Sequence, residues 1–258
     1  MLKKLLEHNA GYFAIISNME TRPWGVLFAN SENPLHYDSN HAELSKATSR
    51  ELPQVVGEIE KFYKAMNIVP RIYVNQFSSP PDIRAFLAMA GYNLFVDPYR
   101  VMLWDNISET PPMRPGITVE KVGVHNRAEA LRILVGETPW GTPEIITKVF
   151  EREFDHPEVQ YYLVRKDGTP AATGFLFYQG DMARVENFRT LPEFRKQGCA
   201  TALIHHMQQE FALRGGRGLY LLASDVVAES LYRKCGFKDM GLVEHVATYK
   251  SLSPIAER

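Results

Sequence analysis

Seven residues, Arg195-Lys196-Gln197-Gly198-Cys199-Ala200-Thr201, stand between a strand-like run, Ala183–Thr190, and a periodic helical segment that runs from Gly198 to about Leu213. A strand that breaks into a small-residue turn and continues as a helix gathers several free backbone N–H groups at one point. Those donors, with the positive end of the helix dipole, suit a pyrophosphate. Gly198 removes the side chain where phosphates must come close. Arg195 and Lys196 bring positive charge beside them. The stretch predicts a phosphorylated cofactor before it says anything of a substrate.

The rest of the sequence supplies a fold for that junction. Its 258 residues suffice for one large domain or two smaller ones. At 45% hydrophobic and 23% charged, the chain can bury an ordinary core. Lys and Arg number 29 against 30 Asp and Glu, and a net charge of -1 gives no reason to expect nucleic acid or an anionic membrane as partner. Cys199 and Cys235 are the two cysteines, too few for a disulfide framework, so a reduced, cytoplasmic setting is expected. The start of the chain has no sustained apolar segment of the signal-peptide kind, and no run approaches the length of a membrane span. His36 and His41 bracket a polar loop without a third ligand at metal spacing, and His205 and His206 point different ways on a helix, so no metal is expected.

Asn106 to Gly116, with three prolines and a glycine, reads as a linker between a first lobe, 1–105, and a second domain, 117–258. The second begins with a strand at Ile117–Val119 and helices near Arg127–Val135 and Pro143–Phe154. An antiparallel meander follows: Val159–Arg165, Ala171–Tyr178 and Ala183–Thr190, joined by short turns. The helix after Gly198 carries Ala200, Leu203, Ile204, Met207 and Phe211 on one stripe and stops at Gly215-Gly216. A strand at Leu219–Ala223, a helix at Val226–Lys234 and a strand at Leu242–Lys250 complete an α/β (α+β) mixed sheet covered by helices. The first lobe repeats part of this order: helix Leu52–Met66, strand Arg71–Val74, helix Pro81–Ala90, strand Tyr99–Trp104. Gly91-Tyr92 after one helix matches Gly236-Phe237 after another, which suggests a degenerate second copy. It has no counterpart of Arg195 to Ala200, so no cofactor is expected there.

Pro192-Glu193-Phe194-Arg195-Lys196-Gln197-Gly198-Cys199-Ala200 resembles the acetyl-CoA signature of the GCN5-related N-acetyltransferases: arginine or glutamine, two residues, glycine, one residue, then glycine or alanine. Asp225-Val226-Val227-Ala228-Glu229-Ser230-Leu231-Tyr232, followed by Gly236-Phe237, is similar to the family's second pattern of asparagine, alanine, leucine-tyrosine and glycine-phenylalanine. The resemblance covers Ile117 to Lys250 and implies the GNAT acyl-CoA N-acyltransferase fold, with the first lobe as a second GNAT-like copy. It also implies acetyl-CoA as cofactor. In that fold two central strands splay apart and coenzyme A lies between them. By resemblance the splay falls at Phe188-Arg189-Thr190, whose backbone would bind the pantetheine and acetyl portions. Gln197 to Thr201 would bind the pyrophosphate, with Arg195 and Lys196 beside them.

Tyr232 matches the family's tyrosine near the thioester sulfur, where a phenol can assist a leaving thiolate as a general acid. The same residue would also serve as a core tyrosine. A lysine-like amine has a pKa of about 10.4 and must lose a proton before attack. Glu186 is the nearest carboxylate by sequence and is a candidate base. Simple alternation puts Glu186 and Phe188 on one face and Asn187 and Arg189 on the other, without showing which lines the cleft, so Asn187 is a second polar candidate. Asp225 replaces the usual asparagine, and an ionised aspartate accepts hydrogen bonds without donating any, which would change a contact to the pantetheine arm. Cys199 fills a usually aliphatic slot and is expected to be a small packed residue, although a helix N-terminus activates thiols. Trp140 lies in a Gly- and Pro-rich connection of the kind related enzymes use to touch the acceptor; it suits either an acceptor contact or a loop anchor.

The expected activity is acetyl transfer to a primary amine, on a small molecule or a peptide, by direct attack in a ternary complex, from a monomer or homodimer. Two other readings fit the same residues: transfer of a longer acyl or aminoacyl group, and a non-catalytic coenzyme A sensor or interaction module.

Overall fold

A computed structural model describes residues 2–105, 113–137 and 141–250 of the chain. Residues 106–112 of the expected linker, and Trp140, lie outside them. In chain order the elements are α1 (Leu2–Ile16), β1 (Asn18–Arg22), β2 (Gly25–Ala29), β3 (His41–Glu43), α2 (Leu52–Ala65), β4 (Arg71–Val74), α3 (Ile83–Met89) and β5 (Asn93–Trp104). They continue as β6 (Ile117–Lys121), α4 (Arg127–Glu137), α5 (Pro143–Asp155), β7 (Val159–Lys166), β8 (Thr169–Gln179), β9 (Met182–Thr190), α6 (Cys199–Leu213), β10 (Gly218–Ala223), α7 (Val226–Lys234) and β11 (Lys238–Tyr249).

The chain forms two compact units that do not follow the two halves of the sequence. One comprises Met1–Asn9 and Arg100–Gly241; the other comprises Ala10–Tyr99 and Leu242–Arg258. In the first unit the strand order is β5-β10-β9-β8-β7-β6, with β5 present through residues 100–104. Neighbours are antiparallel except β9 and β10, which are parallel because α6 carries the chain back between them. The α6 stripe fills the core with Cys199, Ala202, Leu203, Ile204, Met207 and Phe211. Ala200, expected on that stripe, is only half-buried, and Cys199 and Ala202 take the inner positions. Met102 and Trp104 of β5 are in the same cluster, beside Tyr162, Val185, Leu219 and Leu221.

In the second unit the order is β1-β2-β3-β4-β11, with β3 and β4 parallel and joined through α2. Leu52, Val55, Val56, Ile59 and Tyr63 of α2 pack on Leu27, Ile72 and Val246. The run β3-α2-β4-α3 repeats the order β9-α6-β10-α7. After each run the next strand goes to the other unit. β5 follows α3 in sequence, and its residues 100–104 pair with β10; β11 follows α7, and its residues 246–249 pair with β4.

Candidate functional site: an open strand edge beside a helix N-terminus

β9 and β10 are hydrogen-bonded neighbours only at their beginnings, where Gly218, Leu219 and Tyr220 face Met182, Ala183 and Arg184. Beyond Arg184, β9 keeps β8 on one side and, among the described residues, has no strand on the other. β10 continues with β5 alone. The divergence starts three residues before the expected Phe188-Arg189-Thr190, which therefore lie on an already open edge.

A bulge shapes that edge. Glu186 faces Phe175 but Arg189 faces Thr173, so β9 carries one more residue than β8 across this interval. Asn187 takes up the difference at φ 49, a left-handed conformation that asparagine tolerates better than most residues. Gly174 makes room opposite: a Cβ there would lie 3.2 Å from Phe188 Cδ2. The bulge breaks the expected alternation. Phe188 packs with the cluster under α6 and α7. Glu186 instead forms an ion pair with Arg184, whose guanidinium also donates to Asn9.

After β9 the chain turns through Pro192–Phe194 and reaches Lys196 at φ 61 and Gly198 at φ 95. α6 then starts at Cys199, one residue later than expected, and the Gly198 carbonyl accepts from the Ala202 amide at 2.9 Å. Among the described residues no acceptor engages the amides of Gln197, Gly198, Ala200 and Thr201. The neighbouring side chains partly close on themselves. Arg195 donates through Nε to the Thr190 carbonyl at 3.1 Å and pairs with Glu137, so its charge is turned back towards α4. Gln197 donates to the Glu193 carbonyl at 2.6 Å. Arg114, which the sequence reading missed, lies over the loop, with Cδ 2.9 Å and Nε 3.2 Å from the point a Cβ on Gly198 would occupy. Its sequence neighbours Pro111, Pro112 and Pro115 read as linker, and nothing in them marks a cation meeting the loop 84 positions later.

Tyr232 stands on α7. Asp225 caps that helix: its Oδ1 accepts from the amides of Val227 and Ala228, both at 2.8 Å. The Tyr232 ring is 8% exposed and meets Phe188 edge-on at 6.4 Å between centroids, with Phe237 at 6.0 Å. Burial first, and then the negative charge of Glu186, push its pKa well above the ordinary phenol value, while Arg189 opposes them. The phenol therefore carries its proton at neutral pH. Cys199 is buried, and burial raises its thiol pKa in spite of its place at the start of α6. Burial likewise pushes the Cys235 thiol up to about 11.

A second carboxylate near the bulge was also missed. Glu153 on α5 is 0% exposed, accepts from the Tyr161 hydroxyl, and accepts at 3.4 Å from Asn187 Nδ2. Its signal in the sequence was a charge on an apolar stripe, since Val149 and Phe150 precede it by four and three residues. Among the described residues, no group of three or more His, Cys, Asp or Glu is placed to hold a metal, and no helix is long and apolar enough to cross a membrane.

Residues 127–237 match the family described as "Acetyltransferase (GNAT) family". No curated protein matches the sequence significantly. Among solved structures, the chain is similar to a GCN5-related N-acetyltransferase from Kribbella flavida, with a TM-score of 0.74 and 16% identity over 98% of this chain and 96% of that one. It is similar to a functionally unknown conserved protein from Staphylococcus epidermidis ATCC 12228, with a TM-score of 0.72 and 14% identity over 92% and 96%. A GCN5-related N-acetyltransferase from Sphaerobacter thermophilus gives a TM-score of 0.63 and 17% identity over 92% and 83%. At such identities the likeness is one of fold, and it extends over both units. The segment that matches the GNAT family, residues 127–237, contains the open edge of β9, the Gly198 turn and Tyr232.

Proposed function

We propose that the protein is an acetyl-CoA-dependent N-acetyltransferase acting on a primary amine of a small molecule or peptide. The observation that carries this reading is the row of unengaged amides at the start of α6, set in the same loop as the open edge of β9. Oriented amides at a helix N-terminus bind a diphosphate without a dedicated side chain. Gly198 keeps the approach to them short, and Lys196 and Arg114 add positive charge. The main chain of Phe188, Arg189 and Thr190 offers strand-type hydrogen bonds to an amide-bearing arm, as an added strand would.

When bound, acetyl-CoA supplies an activated acyl group and a thiol leaving group. The chain's own residues manage the protons and the charge. Tyr232, protonated at neutral pH, donates a proton or a hydrogen bond to the departing sulfur. Glu186, ion-paired with Arg184, takes the proton from the attacking amine directly or through water. Amides of the open edge hold the developing oxyanion. Asn187 and Trp140 are the acceptor-side candidates. Asp225 serves α7 as its cap and leaves the arm to neighbouring main chain. Two isolated buried thiols fit a reducing, cytoplasmic setting.

The test is a melting curve with and without acetyl-CoA, followed by thiol release with an amine panel of polyamines, amino acids, aminoglycosides and peptide N-termini. Acetyl-CoA at about a hundredfold over its Kd should stabilise the protein by about 2.7 kcal/mol. An unshifted melting temperature would overturn the reading. A shift without transfer to any amine would convert it to a coenzyme A-binding sensor, and faster release from longer thioesters would change the acyl group.

A further inference from the structure

The proposed reaction depends on where the edge of β9 points, and that edge is bent by one residue in an uncommon conformation. Asn187 sits at φ 49, where an L-residue other than glycine costs about 1–2 kcal/mol. Such a conformation persists only where its surroundings hold it. The side chain of Asn187 reaches the carboxylate of Glu153, which is completely buried and also accepts from the Tyr161 hydroxyl. A buried carboxylate is tolerated where donors satisfy it, and Tyr161 and Asn187 supply one donor each to different oxygens. Three elements, α5, β7 and β9, thus meet at one buried carboxyl group behind the bulge. Beyond the bulge, Phe188 crosses to the opposite face, fits over Gly174 and meets the Tyr232 ring.

We propose that Glu153 is a positioning residue for the acyl-transfer centre: with Tyr161 it clamps Asn187 in the bulge, and the bulge sets both the direction of the Phe188–Thr190 edge and the seat of Tyr232. This rests on the coenzyme A reading of that edge, but the clamp itself is a property of the free protein. Glu153 touches neither substrate nor cofactor and acts through Asn187.

The experiment compares Glu153→Ala, Glu153→Gln and wild type, with hydrogen exchange of the 186–190 segment read beside acetyl-CoA affinity by calorimetry. Glutamine can still accept from Asn187 and donate to the Tyr161 oxygen, so it should keep the clamp. Alanine should speed exchange at 188–190 about tenfold, leave β6 unchanged, and weaken acetyl-CoA binding by a similar factor; tenfold is about the loss of one hydrogen bond. Glu153→Gln should rescue both. A double-mutant cycle with Asn187→Gly adds a readout that mere core damage would not move. Glycine holds φ 49 without help, so Glu153→Ala should cost the 188–190 segment much less protection in that background. If Glu153→Ala does not fold, Tyr161→Phe, which removes one donor and keeps the ring, carries the same comparison.

Unchanged exchange at 188–190 in the alanine variant, equal losses in β6 and β9, or full additivity in the cycle would overturn the proposal. Should wild type fail to bind acetyl-CoA while the exchange pattern holds, the functional reading falls and the clamp stands.

Discussion

Gly198 answers two demands at one residue. Its φ of 95 is a left-handed conformation, and a Cβ there would press on Arg114. Gly198→Ala should therefore cost about 1–2 kcal/mol in stability and, on the proposed function, also weaken acetyl-CoA binding, because the added methyl group would stand where the proposed site takes the phosphates. Melting curves and calorimetry on the one variant check both effects; a stable variant with unchanged affinity would remove the loop from the binding site. Tyr232→Phe separates chemistry from binding. It keeps the edge-on contact with Phe188 and removes only the hydroxyl group, so turnover should fall about 10²-fold with acetyl-CoA affinity little changed. Equal turnover in the variant would end its role as acid. Both residues were legible in the sequence because each is marked by its own turn or helix spacing. Glu153 was not, since its meaning comes from Tyr161 and Asn187, eight and 34 positions away.

Among the elements, α7 shows how a departure from a motif acquires a local reason. Asp225 stands where the family pattern has asparagine, and its Oδ1 caps two amides. Asp225→Ala should lower stability by about 1 kcal/mol, whereas Asp225→Asn should be close to neutral because both residues cap well. The measurement is the denaturant midpoint; a neutral alanine variant would show that the cap contributes nothing. The helices α2, α5, α6 and α7 and the meander β7–β9 were readable because period 3.6 or period 2 repeats over a whole turn or strand. α1 and β1–β3 were not singled out. β1 is Asn-Met-Glu-Thr-Arg with four exposed residues, and β3 is three residues long, so neither carries a periodic signal. β5 and β11 begin earlier than expected, at Asn93 and Lys238, because their first residues are largely exposed and lack an apolar alternation. The bulge in β9 was hidden for a related reason: an extra residue shows only against the register of β8.

For the molecule as a whole, the reciprocal use of β5 and β11 sets what can fold. A fragment of residues 117–258 lacks Arg100–Trp104, which would leave β10 without a partner on that side and remove Met102 and Trp104 from the core. Expressed alone, it should fail to give a cooperative transition by circular dichroism, while the full chain gives one; a cooperative fragment would show the β5 segment to be dispensable. Acid should also weaken the protein. Burial pushes His36 and His245 below the ordinary histidine pKa, against the pull of Asp38, and burial with the Arg184 charge brings His8 down to about 4. Unfolded, each histidine takes a proton near pH 6.5; folded, each resists it. Their contribution is complete above about pH 6.5 and is lost as pH falls below it, with the His8 share going between about 6.5 and 4. The melting temperature at pH 5 should lie below that at pH 7.5, and a flat profile would contradict the burial of these rings. By itself the sequence determined the order of strand, glycine turn, helix and tyrosine on which the proposed coenzyme A site rests, because backbone conformation and amphipathic period are settled among near neighbours. Only the tertiary structure decided where β9 leaves β10, how Asn187 bends the edge, and which unit receives β5 and β11. Strand partners and buried charges are chosen between residues far apart in the chain, and the energy that chooses them exists only once those residues meet.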